Sequence, residues 1–289
     1  MSERKIPAFI NAAAGSADAA REALDASDTF DVREVAPAQL ADAIRAAIHE
    51  GAPRVLVAGG DGTIATAGAE LLPGTTELAI LPGGTLNHFA RDLGISTEPM
   101  DALKLAHTGT SRGVDVGMVN GRIFLNTSSV GAYVHFVKMR EYLEKKFGYR
   151  LASAIAAFRI LFQLRNIAVE LEVDGTRRLY RTPLVFIGVG ERELQLPTLG
   201  NRVPDGKRGL HVLIVRGRGR ARLLALALNA TARGVKTAAR SPELDSFIVD
   251  RCTIAMKGRH AFAVDGELVT LASPLTYEIR HGALSVVCP

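Results

Sequence analysis

The chain has little that would anchor it outside a reducing compartment or in a bilayer. Among its 289 residues there are two cysteines, Cys252 and Cys288, with no metal-type spacing between them. That excludes a disulfide framework and a cysteine-built zinc site, and it favours a reduced, cytoplasmic setting. The N-terminus, Met1-Ser2-Glu3-Arg4-Lys5, lacks the apolar run of a signal peptide. No window offers the ~18 uncharged apolar residues of a membrane span. Residues 151–164 come nearest and are interrupted by Arg159. No internal repeat is present, and no low-complexity tract beyond a bias to alanine. What remains is a chain with 47% hydrophobic and 22% charged residues, enough apolar content for a sizeable core and too little charge for bulk disorder. The net charge of +5 favours an anionic partner, whether nucleotide, nucleic acid or acidic membrane surface. No nucleic-acid reader motif appears, and none of that class of partner is expected.

The first ~115 residues alternate strand and helix patterns, which implies a mainly parallel, doubly wound sheet. Strands are expected at Ile6–Asn11, Phe30–Val35, 54–58 and 78–81. Helices are expected at Ala17–Ala26, from Pro37 to a stop at Gly51, and from Ile64 to Leu72. The apolar run Val55-Leu56-Val57-Ala58 ends at Gly59-Gly60-Asp61-Gly62-Thr63, and Ile80-Leu81 ends at Pro82-Gly83-Gly84-Thr85. A strand feeding a glycine turn and then a helix presents backbone N–H groups and a positive dipole end to an anion. Two such turns in consecutive βα units fall at the carboxyl edge of the sheet, where α/β sheets bind ligands. Asp61 would repel a bare phosphate, but with Mg²⁺ between them it becomes a clamp. The plainer alternative is a tight βα turn with Asp61 as a helix cap.

After ~116 the pattern changes to antiparallel strands. Asn120-Gly121 reads as a hairpin turn between Val114–Asn120 and Arg122–Val130, and Asp174-Gly175 as a second. Further strands are expected at Pro183–Gly190, Leu210–Arg216, Phe247–Met256, Ala261–Val264, Leu268–Leu271, Tyr277–Arg280 and Ala283–Val287. Helical excursions are expected from about Val134 to Arg165 and from Arg220 to Arg240. The expected architecture is therefore α/β: an N-terminal doubly wound parallel sheet over 1–116, then an antiparallel β-sandwich with helical insertions over 117–289.

The ordered motifs resemble the diacylglycerol kinase catalytic-domain family of soluble lipid kinases, related to sphingosine and ceramide kinases. They are Asn11 with Gly15, Gly59-Gly60-Asp61-Gly62-Thr63, Pro82-Gly83-Gly84-Thr85-Leu86-Asn87-His88-Phe89-Ala90-Arg91, Val114-Asp115-Val116-Gly117, Phe124-Leu125-Asn126, Lys145-Lys146-Phe147-Gly148 and Asp265-Gly266-Glu267. The glycine motif alone is shared with NAD kinases and phosphofructokinases. The resemblance implies ATP-dependent phosphorylation of a lipid hydroxyl, diacylglycerol-like or sphingoid, at a cleft between the two domains. It implies a nucleotide site of Asn11, Gly59, Gly60, Asp61, Gly62, Thr63, Gly84, Thr85 and Asn87, with Asp61 at Mg²⁺ and Glu267 as general base. Departures are His88 where the family has aspartate, and Ala65-Thr66 where it often has Asn-Glu. The family's acidic pair that holds a structural metal is also reduced to Asp205 beside Lys207 and Arg208, so that site is expected to be absent or much altered.

Basic residues with interleaved aromatics between 138 and 165 suit a transient dock on an anionic membrane, aided by Arg216, Arg218, Arg220 and Arg222. Phe136, Leu143, Ile155, Phe158, Leu161 and Phe162 are candidates for an acyl-chain lining and equally for ordinary core. A homodimer is left open. Two other functions stand beside the lipid kinase: a NAD kinase-like enzyme, and a non-catalytic nucleotide- or lipid-binding regulator on the same fold.

Overall fold

A computed structural model describes residues 5–11, 17–25, 27–72, 74–132, 166–194, 199–216, 244–258 and 260–289, with scattered positions between 134 and 159. The chain forms two compact units, Met1–Val116 with Arg280–Pro289, and Gly117–Ile279.

The first unit is built on parallel strands. β1 (Ile6–Asn11), α1 (Ala17–Asp25), β2 (Phe30–Val35), α2 (Leu40–His49), β3 (Arg54–Gly59), α3 (Asp61–Leu71), β4 (Glu77–Pro82), α4 (His88–Asp92), α5 (Pro99–Thr108) and β5 (Thr110–Val119) follow one another. The strand order is β2-β1-β3-β4, all parallel, and Val286 of the C-terminal strand pairs in parallel with Leu78 beyond β4. In β3 every residue after Arg54 is buried, as expected where helices cover both faces of a sheet. Ala8, Ile10, Leu56, Ala58, Ala79 and Leu81 pack with Leu24 of α1 and Leu103 of α5. Pro37 opens a short 3₁₀ turn, Pro37–Gln39, before α2 buries Leu40, Ile44 and Ala47. Helix α3 starts at Asp61, three residues before the expected Ile64. Only Gly60, extended at φ −85 and ψ −179, separates strand from helix, so Asp61, Gly62 and Thr63 form the first helical turn.

The second unit is antiparallel. It contains β6 (Arg122–Phe124), β7 (Thr127–Gly131), β8 (Ile167–Val173), β9 (Thr176–Thr182), β10 (Leu184–Val189), β11 (Arg192–Leu194), β12 (Leu199–Arg202), β13 (Leu210–Val215), β14 (Leu244–Val249), β15 (Arg251–Ala255), β16 (Ala261–Val264) and β17 (Glu267–Thr270). The last strand, β18 (Leu275–Cys288), begins there and ends in the first unit. One sheet has the order β14-β13-β10-β7-β16-β17. The other runs from the start of β18 through β15 and β8 to β9. Val130, Val185, Ile187, Val212 and Phe262 of the first sheet meet Val169, Leu171, Ile254 and Tyr277 of the second. Phe124 packs edge-on against Tyr277 at 6.1 Å between ring centroids. This is the sandwich the alternating pattern implied. Both cysteines are free and buried, and burial pushes the Cys252 thiol up to about 12.

Four expected strands are drawn differently. Arg122–Val130 divides at Leu125-Asn126, whose N–H groups, with that of Thr127, turn to the Asp265 carboxylate instead of a ladder. Phe247–Met256 divides at Asp250, and its two halves lie in opposite sheets. Tyr277–Arg280 and Ala283–Val287 are one continuous strand, β18. The described positions between 134 and 159 are helical, with Val134, Leu143, Ala152 and Ala156 buried and Tyr142 and Leu151 exposed. The expected helix over 220–240 lies outside the described residues. Among those described, no helix is long and apolar enough to cross a membrane.

Candidate functional site

The two glycine turns of the first unit are joined. Gly83 donates its N–H to the Gly59 carbonyl at 2.9 Å, carrying the β3–β4 ladder past the strand ends. Beyond it the chains touch backbone to backbone. A Cβ on Gly84 would stand 2.6 Å from the Gly60 Cα, and one on Gly60 3.2 Å from the Gly84 Cα. Gly84 has no room for a side chain, and Gly60 could take one only if its neighbour gave by a few tenths of an ångström. Asn87, in the left-handed region at φ 49, closes the second turn: its amide oxygen accepts from Gly84 N–H and its amide NH₂ donates to the Gly84 carbonyl, both at 2.8 Å. Gly84→Ala forces the two turns apart, and overpacking of this kind typically costs ~1–3 kcal/mol. The expected result is a lower midpoint in urea unfolding with an unchanged slope.

Asp61 ties the turns a second time. Its carboxylate accepts the N–H of His88 at 3.1 Å and that of Phe89 at 3.0 Å, the first two residues of α4. The helix-cap alternative is thus met in an unexpected form: Asp61 lies in the first turn of α3 and caps α4. The two oxygens of a carboxylate offer about four lone-pair sites, so two N–H bonds leave room for a cation. Asn11, ending β1, donates from Nδ2 to the Thr63 hydroxyl at 3.0 Å. No side chain caps the start of α3. Its first-turn N–H groups, which have no intrahelical acceptor, therefore lie at the carboxyl edge of the sheet beside Asn11, Thr63 and the exposed Thr85. Asn11, Gly59, Gly60, Asp61, Gly62, Thr63, Gly84, Thr85 and Asn87 all fall within this one corner of the first unit. Asn87 and Gly59 are buried there, and Asn87's amide is engaged inside its own turn.

Glu267 belongs to the second unit, at the first position of β17. It is exposed, and it pairs with Arg122 Nη2 at 3.0 Å. The residue that organises its neighbourhood is Asp265. Its carboxylate accepts the N–H groups of Leu125, Asn126 and Thr127 at 2.7, 2.8 and 2.9 Å, and its own N–H donates to the Thr127 carbonyl at 2.8 Å. The sequence shows it only as the first half of an Asp-Gly turn. Nothing local distinguishes it from Asp174, since both take positive φ at 47 and 50.

For a metal, the described residues hold no cluster of three or more His, Cys, Asp or Glu side chains. A lone Asp61 fits Mg²⁺ only in company with phosphate oxygens, which is the usual manner of Mg²⁺ at nucleotide sites. Asp205 stands exposed in a turn at φ 56. Nearby, His211 is buried, with Nδ1 accepting the Arg192 N–H at 2.8 Å and Nε2 set 2.8 Å from the Ser246 hydroxyl. Burial lowers its pKa below the ordinary 6.5. The unfolded state therefore binds the extra proton, so this contribution to stability is complete above pH ~6.5 and is lost as pH falls through the folded value. Thermal unfolding measured from pH 7.5 down to 5 should show a falling midpoint. His211→Asn should flatten that part of the slope.

Of the basic and aromatic residues expected to dock on a membrane, Tyr142, Lys146 and Arg159 are described, with the Lys146 ammonium 5.7 Å from the Tyr142 ring centroid. Lys138, Arg140, Lys145, Phe147, Arg150 and Arg165 lie outside the described residues. So do Arg218, Arg220 and Arg222, and the candidate lining residues Phe136, Phe158, Leu161 and Phe162.

Two mated glycine corners beside an uncapped helix start define an α/β unit with a candidate anion site at its sheet edge. Sequence comparison points the same way as the motifs. Residues 5–119 match the diacylglycerol kinase catalytic domain, the family that the motifs resemble. Diacylglycerol kinases of Staphylococcus aureus strains JH9 and Newman are each 29% identical over 195 residues, 66% of this chain. The chain spans 61% of the length of those curated relatives. A solved diacylglycerol kinase from Bacillus anthracis str. Sterne superposes with a TM-score of 0.74 at 20% identity, covering 100% of this chain and 98% of that one. A second solved chain from the same organism gives 0.77 at 21%, with the same coverage. At these identities the likeness is one of fold.

Proposed function

We propose that the protein is an ATP-dependent lipid kinase that moves the γ-phosphoryl group of ATP to a hydroxyl of a diacylglycerol-like lipid. The observation that carries this reading is the joined pair of glycine corners, with the free first-turn N–H groups of α3 and the Asp61 carboxylate at one edge, in a chain whose residues 5–119 match the diacylglycerol kinase catalytic domain. Phosphoryl transfer needs positioning and charge neutralisation more than covalent chemistry from the protein. The N–H groups of Asp61, Gly62 and Thr63 hold phosphate oxygens, Asn11 fixes the Thr63 hydroxyl, and Asp61 is the protein ligand for Mg²⁺. The cation supplies neutralisation between that carboxylate and the phosphates. Glu267 takes the proton of the lipid hydroxyl while the lipid oxygen bonds to the γ-phosphorus and the bond to ADP breaks. The reading requires the Glu267 carboxylate to reach the phosphate held at Asp61.

The lipid substrate brings the protein to a membrane surface only transiently, and the exposed Tyr142 with its lysine partner suits an anionic one. The test is purified full-length protein with γ-labelled ATP, Mg²⁺ and mixed micelles of diacylglycerol. Labelled lipid is the expected product. Label on added NAD in place of lipid, or no label on any acceptor, overturns the reading in favour of a NAD kinase-like enzyme or a non-catalytic regulator respectively.

A further inference from the structure

The connection from β10 to β13, residues 190–209, is where the resemblance implies a structural metal, and among its described residues the donor set does not fit one. Asp205 is exposed, and the Glu191 carboxylate is engaged by the N–H of Lys207 at 2.9 Å. Lys207 and Arg208 bring positive charge to the same turn. A cation is nevertheless buried in this connection. Arg192 is only 5% exposed. Its guanidinium donates from Nε to the Val189 carbonyl at 3.0 Å and from Nη1 to the Gly200 carbonyl at 3.1 Å. The end of β10 and the start of β12 are thereby drawn to one group, much as carbonyl oxygens converge on a metal ion.

The surroundings are shaped for that side chain. Its stem fills the space over Gly188, where a Cβ would stand 2.5 Å from Arg192 Cγ. Its backbone N–H is accepted by His211 Nδ1, so the ring carries its proton on Nε2, towards Ser246. A neutral imidazole adds no second positive charge beside the guanidinium. A buried charge is tolerated only where dipoles or counter-charges replace its hydration. The two carbonyls do so here, with the Glu191 carboxylate close enough to act on His211 electrostatically.

We infer that Arg192 is the resident cation of this connection, and that the second unit folds around it with no divalent ion. The inference concerns folding and stands apart from the proposed kinase activity. It is tested on the full chain by elemental analysis after dialysis, and by thermal unfolding with EDTA or with added Mg²⁺, Ca²⁺ or Mn²⁺, in the absence of nucleotide. The expected result is less than a tenth of an equivalent of bound divalent metal and a midpoint that none of these additions moves by more than ~1 °C. Arg192→Met strands two carbonyls in the interior, and the midpoint should fall by about 4–10 °C. Arg192→Lys, which cannot bridge both carbonyls, should recover only part of it. One equivalent of retained metal, or a midpoint lowered by EDTA, overturns the inference on the unaltered protein even if the variants fail to fold. An Arg192→Met protein that melts like the wild type overturns it equally.

Discussion

Asp61→Asn should reduce lipid phosphorylation on the order of 10³-fold, about 4 kcal/mol of transition-state stabilisation. The substitution keeps the size of the side chain and removes its charge. His88 and Phe89 each donate to a different carboxylate oxygen; in asparagine one of those oxygens becomes an NH₂, which would face an N–H in the present arrangement. Loss of a charge-assisted bond of this kind costs ~1.5–3 kcal/mol of stability. That loss would show in urea unfolding and would leave most molecules folded at assay temperature. The larger effect is at the nucleotide, where the only acidic side chain of the glycine corner is gone. Calorimetric titration with ATP separates the two roles. Wild-type affinity should rise on adding Mg²⁺, and the variant's should not. If the variant keeps both Mg²⁺-dependent binding and turnover, Asp61 is a cap for α4 and nothing more.

The sequence made this corner legible because strand, glycine pair and helix are local signals. Val55–Ala58 and Ile80–Leu81 are apolar runs that end at glycine pairs, and Gly59-Gly60 and Gly83-Gly84 read as turns. It did not show why both turns need glycine. The reason is the contact between Gly60 and Gly84, 24 positions apart, which no local pattern encodes. The cross-capping of α4 by Asp61 is hidden in the same way, since helix-capping rules look one turn ahead and not 27 residues ahead.

The sandwich was legible as a class and misdrawn in detail. In Phe247–Met256, Phe247 and Val249 face the core and so do Cys252 and Ile254. The parity of the buried positions inverts at Asp250, and that inversion marks the chain leaving one sheet for the other. In Arg122–Val130 no such inversion occurs, because Phe124 and Val130 are both core residues of even number. The break there is imposed by Asp265, nearly 140 residues downstream, and hydrophobic periodicity could not report it. Arg192 is the clearest case of the same kind. A single arginine between two glutamates reads as a solvated surface residue, and only the convergence of Val189, Gly200 and Gly188 makes it an interior cation.

Glu267→Gln should lower the rate of lipid phosphorylation by ~10²–10⁴-fold with little change in affinity for ATP, because only the acceptor of the hydroxyl proton is removed. The position makes this a clean substitution. Glu267 is exposed, its partner is the exposed Arg122, and glutamine can still accept from that guanidinium. Pairs of this type contribute ~0–1 kcal/mol, so unfolding should be nearly unchanged and the lost rate cannot be ascribed to lost protein. Arg122 also sets a condition on the mechanism. A carboxylate that holds a guanidinium must turn at least one oxygen to the lipid hydroxyl when substrate binds, which a two-oxygen acceptor can do without releasing its partner. A normal rate for the glutamine protein, with ATP and lipid both saturating, would remove Glu267 from the reaction. The three-bond anchor at Asp265 would then be the remaining reason for an acidic Asp-Gly-Glu turn at this place.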